Sequence, residues 1–217
     1  MSSVSTKKVK QPKTYCFIDA SNLFYGGKKS LGWSVDYKKL AEYLKKKYGA
    51  RNLYYFGGIM TDNFPHDYLS NETVDLRKLV RHLKANKSKY SPRSKRSQQL
   101  EKYIARAKFY KKLQDFGYKL ILRPAKVYKQ PDGSKRIKAN CDIEMAMTII
   151  KDMNKYDRAL VLTSDGDFLP VLKLVRHAKK TVTVLARGVR TARELKQFAG
   201  SDFRDFVTIR KYIEKTK

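Results

Sequence analysis

Four aspartates carry the chemistry this chain can offer: Asp19, Asp142, Asp165 and Asp167. Asp165 and Asp167 stand in Thr163-Ser164-Asp165-Gly166-Asp167-Phe168, directly after the apolar run Ala159-Leu160-Val161-Leu162 and before a helical pattern that starts near Leu169. The end of a buried strand, where a helix begins, is where open α/β sheets bind ligands. Two carboxylates in one tight loop repel each other and call for a cation or a shared proton. Asp19 ends a second apolar run, Tyr15-Cys16-Phe17-Ile18, and Asp142 opens a helix that leads into the strand before Asp165. If the strands ending at Asp19 and Thr163 are neighbours, the four carboxylates meet at the point where strand order reverses. Hard oxygen donors suit Mg²⁺ or Mn²⁺. Such an ion activates water and neutralises a phosphate during transfer.

Each acid also has a plain structural role open to it. Asp167 fits the N-cap of a helix with Pro170 in its first turn, Asp142 a first-turn acid favoured by the helix dipole, and Ser21-Asn22 a capping turn. Other phosphate chemistries find less support. No GxGxxG follows a strand and no GxxxxGK[ST] occurs, against a dinucleotide fold and a P-loop NTPase. A haloacid-dehalogenase-like phosphatase wants Asp-x-Asp after its first strand, where this chain has Asp19-Ala20-Ser21. His66, His82 and His177 are scattered and read as surface residues.

The elements that must position these acids alternate. Strands are predicted at Tyr15–Asp19, Asn52–Phe56, Tyr118–Arg123, Ala159–Thr163 and Thr181–Leu185, with an edge strand at Phe206–Ile209. Helices are predicted over 35–48 with Gly49 as its stop, 67–116 with a break near Tyr90-Ser91-Pro92, Asp142–Met153, Phe168–Ala178 and about 191–199. In the helix from Asp142, Ile143, Ala146, Met147 and Ile150 form the expected apolar face. Residues 126–138 read as a hairpin turning at Gln130-Pro131-Asp132-Gly133. Strands separated by helices predict a mainly parallel sheet covered on both faces.

With 217 residues, 41% hydrophobic, the chain suits one globular domain. Residues 13–217 form that domain, behind a disordered basic arm at 1–12. The 49 Lys+Arg against 20 Asp+Glu give a net charge of +29, which favours a polyanionic partner, nucleic acid before membrane. A basic helical lobe inserted at about 67–116 concentrates that charge: Arg77 to Lys112 holds fourteen Lys/Arg against one acid, Glu101. Its candidate phosphate contacts are Arg77, Arg81, Lys84, Arg93, Lys95 and Arg96. Tyr90, Tyr103, Phe109 and Tyr110 read as core residues of that helical pair before base-stacking platforms. Two cysteines, Cys16 and Cys141, form no CxxC and read as reduced thiols. No apolar stretch reaches the ~20 residues of a membrane span. A cytoplasmic location follows as the expectation, and a homodimer stays open.

Several stretches together resemble one known family. Phe17-Ile18-Asp19-Ala20-Ser21-Asn22-Leu23 looks like the opening motif of NYN domains, a LabA-like branch of the PIN-like nucleases. Lys138-Ala139-Asn140-Cys141-Asp142 resembles the family's segment entering the central helix, and Leu162-Thr163-Ser164-Asp165-Gly166-Asp167-Phe168 its Ser-x-Asp-x-Asp-Phe signature. Glu194-Leu195 through Ala199 and Asp202-Phe203 resemble its closing segment. The resemblance implies a three-layer α/β/α PIN-like (Rossmannoid) domain and metal-dependent RNase activity, with Asp19, Asp142, Asp165 and Asp167 in the acidic site and Asn22 positioning a ligand or water. Ser164 would orient water or phosphate, and Lys138 would contact the scissile phosphate.

The leading reading is therefore a Mg²⁺- or Mn²⁺-dependent ribonuclease, cutting endonucleolytically, with RNA as substrate and single-stranded DNA as the second candidate. One position departs from the family. Where a second acid often stands about two turns along the central helix, this chain has Thr148, and Glu144 projects ~200° away from Asp142. The competing reading is an RNA-binding or adaptor protein with the same fold and a weakened site. A small-molecule phosphatase is third.

Overall fold

A computed structural model describes residues 12–20, 32–67, 69, 73–130, 135–139 and 141–216, with the backbone alone at 127, 129 and 135–138. The predicted arm at 1–12 lies almost wholly outside the described residues, as do Ser21, Asn22 and the residues of the predicted turn after Gln130.

Strand β1 (Thr14–Asp19) leads to α1 (Tyr37–Tyr48) and β2 (Ala50–Ile59). Two helices, α2 (Leu76–Lys87) and α3 (Lys95–Asp115), precede β3 (Tyr118–Pro124). The antiparallel ribbon β4 (Lys126–Lys129) and β5 (Lys135–Lys138) comes next. Then α4 (Asp142–Lys151), β6 (Arg158–Leu162), α5 (Leu169–His177), β7 (Thr181–Ala186), α6 (Arg193–Ala199), β8 (Phe203–Asp205) and α7 (Arg210–Ile213) complete the chain. Six strands make one parallel sheet in the order β3-β2-β1-β6-β7-β8. Strand order reverses between β1 and β6, which are direct neighbours.

The strands are apolar throughout because both faces are covered. Cys16, Ile18, Leu53, Tyr55, Leu160 and Leu162 point into one core, shared with α1, α2, α3 and α7. The alternate residues Phe17, Phe56, Ala159 and Val161 point into a second core, shared with α4, α5 and α6. Period-two alternation sends neighbouring side chains to opposite faces, so a strand buried on both sides reads as an unbroken apolar run. The mixed α/β fold and its parallel central sheet are as the sequence predicts.

Local chemistry accounts for the helix ends. Asp36 caps α1, accepting from the Lys38 amide at 2.9 Å, and Gly49 closes it at φ +64°. Asp75 caps α2 and Ser94 caps α3. The long helical region begins at Leu76, not near 67, and breaks over 88–94. Its two helices bury Leu79, Leu83, Leu100, Ile104, Ala107 and Leu113 in the same core as β1 and β2. Tyr110 is buried with them, Tyr103 and Phe109 pack partly against them, and Tyr90 is exposed.

Two expectations are corrected. The inward stripe of α4 is Cys141, Met145 and Ile149, with Met145 1% and Ile149 0% exposed. Ile143 (65%), Met147 (64%) and Ile150 (46%) face outward instead. This helix is apolar on both sides, so periodicity could not choose between them. The edge strand is β8 at Phe203–Asp205, and Phe206–Ile209 forms a 3₁₀ turn capped by Asp205. Among the described residues no helix is long and apolar enough to cross a membrane.

Candidate active site

Register alone brings the first two acidic segments together. In the β1–β6 pair, Phe17 lies opposite Val161 and Ile18 opposite Leu162. Continuing by one residue sets Asp19 opposite Thr163, and alternation puts both on the α4 side of the sheet. Thr163 is fully buried. Its Oγ1 donates to Asp19 Oδ2 at 3.2 Å and accepts from the Asp165 amide at 3.2 Å. One hydroxyl therefore ties the end of β1 to the loop after β6.

That loop is held from within as well. Asp165 Oδ1 accepts from the Asp167 amide at 2.9 Å, capping the short 3₁₀ turn Gly166–Phe168 that runs into α5. The cap belongs to Asp165, so Asp167 is not the cap its position before Pro170 had suggested. Both aspartates are exposed. The loop also touches α6: the Ala192 amide donates to the Ser164 carbonyl at 3.1 Å. A Cβ on Gly166 would meet the Glu194 carboxylate and lie 3.2 Å from Ala192 Cβ, so a larger residue there would require the exposed Glu194 side chain to move.

Asp142 arrives by a different route. Gly58, near the end of β2, lets the segment before α4 cross closely over the sheet, because a Cβ there would collide with Ala139. Asp142 then starts α4, which packs against β1. Burial first, then the charges of Asp19, Asp165, Asp167 and Glu144, raise its pKa above the ordinary aspartate value. Asp142 therefore lies within electrostatic reach of the other three aspartates. Glu144 itself is held by Arg123 from the end of β3, whose Nε donates to Oε1 at 2.8 Å. Thr148 Oγ1 donates back to the Glu144 carbonyl at 2.6 Å and offers no charge. Burial pushes the thiol of Cys141, beside Asp142, up to about 12.

As the side chains stand, no three His, Cys, Asp or Glu groups among the described residues close around one point. Mg²⁺ is commonly held by one or two carboxylates and completed by water, so the hard-oxygen donors and their crowded charge suit such an ion in kind.

The remaining candidates fall in several places. Ser164 is half-buried at the loop, while Asn22 and the Lys138 side chain lie outside the described residues. Arg77, Arg81, Lys84, Arg93 and Lys95 are exposed on α2, α3 and their connection. Arg96 differs. It pairs with Asp62, whose side chain is 7% exposed and also accepts from Asn86 Nδ2 at 2.9 Å. His82, read as a surface residue, is half-buried and donates to the Asp62 carbonyl at 2.8 Å. Sequence reasoning missed Thr163 as a connector, Arg123 as the partner of Glu144 and Glu194 as a neighbour of Gly166. The position of Thr163 between a strand and an acid was the one available signal.

The NYN domain family profile matches residues 13–206. The low amplitude and bright protein LabA of Synechococcus elongatus is 24% identical over 205 residues, covering 93% of this chain and 87% of that protein. The crystal structure of VPA0982, a protein of unknown function from Vibrio parahaemolyticus, aligns with a TM-score of 0.56 at 15% identity, covering 88% of this chain and 91% of that one. At that identity the likeness concerns the fold. The chain belongs to the NYN domain family.

Proposed function

We propose that this protein is a divalent-metal-dependent ribonuclease that cuts RNA phosphodiesters internally. The observation that carries the reading is the junction of β1 and β6, where Thr163 joins Asp19 to the Asp165 loop beside Asp142. Family membership supports it, since NYN domains are a branch of the PIN-like nucleases. Asp19, Asp142, Asp165 and Asp167 would hold Mg²⁺ or Mn²⁺. When bound, such an ion offsets the charge that develops on a phosphodiester and lowers the pKa of water.

The chain's own residues supply the rest. Thr163 keeps Asp19 and the Asp165 loop at a fixed separation. Asp142, crowded by the charges of Asp19, Asp165 and Asp167, favours a cation beside it when ionised. Ser164 and Asn22 orient water or phosphate, and Lys138 contacts the phosphate. The exposed cations of α2 and α3 bind the RNA backbone, which positions the strand without reading its sequence.

The competing reading is an RNA-binding or adaptor protein. The back-bonded Thr148 favours it, because α4 then contributes one fewer acid. Labelled single-stranded and structured RNA, incubated with Mn²⁺, Mg²⁺ or EDTA beside Asp165→Asn, separates the two. Cleavage by wild type that EDTA and the substitution abolish is the expected result. Cleavage that survives either one overturns the ribonuclease reading, and binding without cleavage favours the adaptor.

A further inference from the structure

The sequence pattern places Tyr90 in the core of the helical pair, but the structure leaves it 43% exposed in the connection between α2 and α3. The ring is held there. The guanidinium carbon of Arg96 lies 5.9 Å from its centroid, over the ring. Arg96 is in turn paired with Asp62, whose side chain is 7% exposed. Asp62 also accepts from Asn86 Nδ2 at 2.9 Å, and its carbonyl accepts from His82 at 2.8 Å. The loop after β2 thus ties the end of α2 to the start of α3. It does so with Asp62 and Asn63 both at positive φ, 52° and 59°. Consecutive non-glycine residues in that region are unfavourable and persist only where surrounding contacts hold them. Lys89, Arg93 and Lys95, close to Tyr90 in sequence, are exposed. An aromatic ring fixed in water among cations can stack an unpaired base while the flanking phosphates are neutralised.

We propose that Tyr90 is a base-stacking platform and that the tip of the α2–α3 pair takes single-stranded RNA. A duplex keeps its base faces stacked inside, so it meets this tip through phosphates and sugars alone. Tyr90 adds a contact to the bases where the exposed cations contact phosphates. This rests on RNA binding by the chain, as proposed above, and not on cleavage.

The test is binding by the full chain in EDTA, read by fluorescence anisotropy, to a labelled oligoadenylate and to an RNA duplex of the same length. Tyr90→Ala should weaken oligoadenylate binding roughly five- to a hundredfold, as loss of one stacked base implies. Its duplex affinity should stay at the wild-type value. The slope of log affinity against log salt should not change, because no charge is removed. Tyr90→Phe and Tyr90→Trp keep a ring and should bind oligoadenylate like wild type. A damaged fold would weaken both RNAs alike, so the duplex separates that effect from lost stacking. Equal oligoadenylate affinity for wild type and Tyr90→Ala overturns the platform while leaving phosphate contact intact, and so does an equal loss on the duplex. A Tyr90→Phe variant as weak as Tyr90→Ala overturns it too, because the hydroxyl and not the ring would then matter. Failure of wild type to bind either RNA removes the RNA-binding reading as well.

Discussion

Thr163→Val tests whether one hydroxyl joins the two halves of the acidic site. Valine fills the same buried volume, so the substitution opens no cavity and isolates the hydrogen bonds. It removes the donor to Asp19 Oδ2 and the acceptor for the Asp165 amide, both at 3.2 Å. A typical bond contributes about 0.5–1.5 kcal/mol net, and one to a charged group about 1.5–3 kcal/mol. Both distances sit at the long end of the range, and the Asp19 carboxylate is only half-buried. A loss of about 1–3 kcal/mol follows, or roughly 3–10 °C in melting temperature for a chain of this size. Urea denaturation in EDTA measures it, with Thr163→Ser as the control that keeps the hydroxyl. Cleavage of RNA should fall at least tenfold, because the loop is no longer tied to Asp19, while RNA binding in EDTA persists. A valine variant within 0.5 kcal/mol of wild type and with full cleavage would refute the connector role.

Other outcomes rest on particular side chains. Met145→Ala, which empties a buried position of α4, should cost about 2–5 kcal/mol, whereas Met147→Ala on the outward face should stay within about 0.5 kcal/mol. Equal losses in denaturation would show that the face is misassigned. Charge reversal at Arg93 and Lys95 should weaken RNA binding and leave melting unchanged. Its salt slope should flatten by about 0.7 for each phosphate of a single strand that is no longer neutralised. Arg96→Glu should instead destabilise the fold by about 1–3 kcal/mol, since it removes the partner of a buried Asp62. An Arg96→Glu protein that melts like wild type would place Arg96 with the exposed cations. Asp142→Asn should melt higher than wild type at pH 7 in EDTA. The native carboxyl has a raised pKa, so its ionised form costs stability at neutral pH, and that cost is relieved as pH falls through the raised value. The difference should shrink as acid is added and vanish below the ordinary value near 3.8. A difference that grows toward acid would reverse the sign and refute the assignment.

What was legible in the sequence was what local pattern determines. Cys16-Phe17-Ile18 and Leu160-Val161-Leu162 are apolar on every residue because both faces of their strands are buried, and composition reveals that directly. Their endings in Asp19 and in Thr163-Ser164-Asp165 are equally local, so the acidic edge could be read before strand order was known. The inward face of α4 could not be read, because Met145/Ile149 and Ile143/Met147/Ile150 are both apolar stripes at helical spacing. Arg96 was misjudged for a related reason. An arginine in a basic run looks solvated, and only the path of the chain after β2 brings Asp62 to it. Glu194 lies 28 residues from Gly166 in sequence, and no local signal links a first-turn glutamate to a glycine in another loop.

The orientation of α4 ties packing to the site. At about 100° per residue, Asp142 lies only ~20° from Ile149 and ~60° from Met145 around the helix axis. Turning Met145 and Ile149 into the core therefore keeps Asp142 at the edge of the sheet, next to Asp19. Turning Ile143, Met147 and Ile150 inward would rotate Asp142 about 100° away from the centre of that stripe and out of reach of the other acids. The rejected orientation would have buried three large apolar side chains, at roughly 1.5–3 kcal/mol for each one fully covered. The helix instead buries Met145 and Ile149 beside Cys141, with Ala146 packed against them, and leaves Ile143, Met147 and Ile150 outward. The orientation that α4 takes is thus the one that keeps Asp142 toward the sheet edge where β1 ends in Asp19.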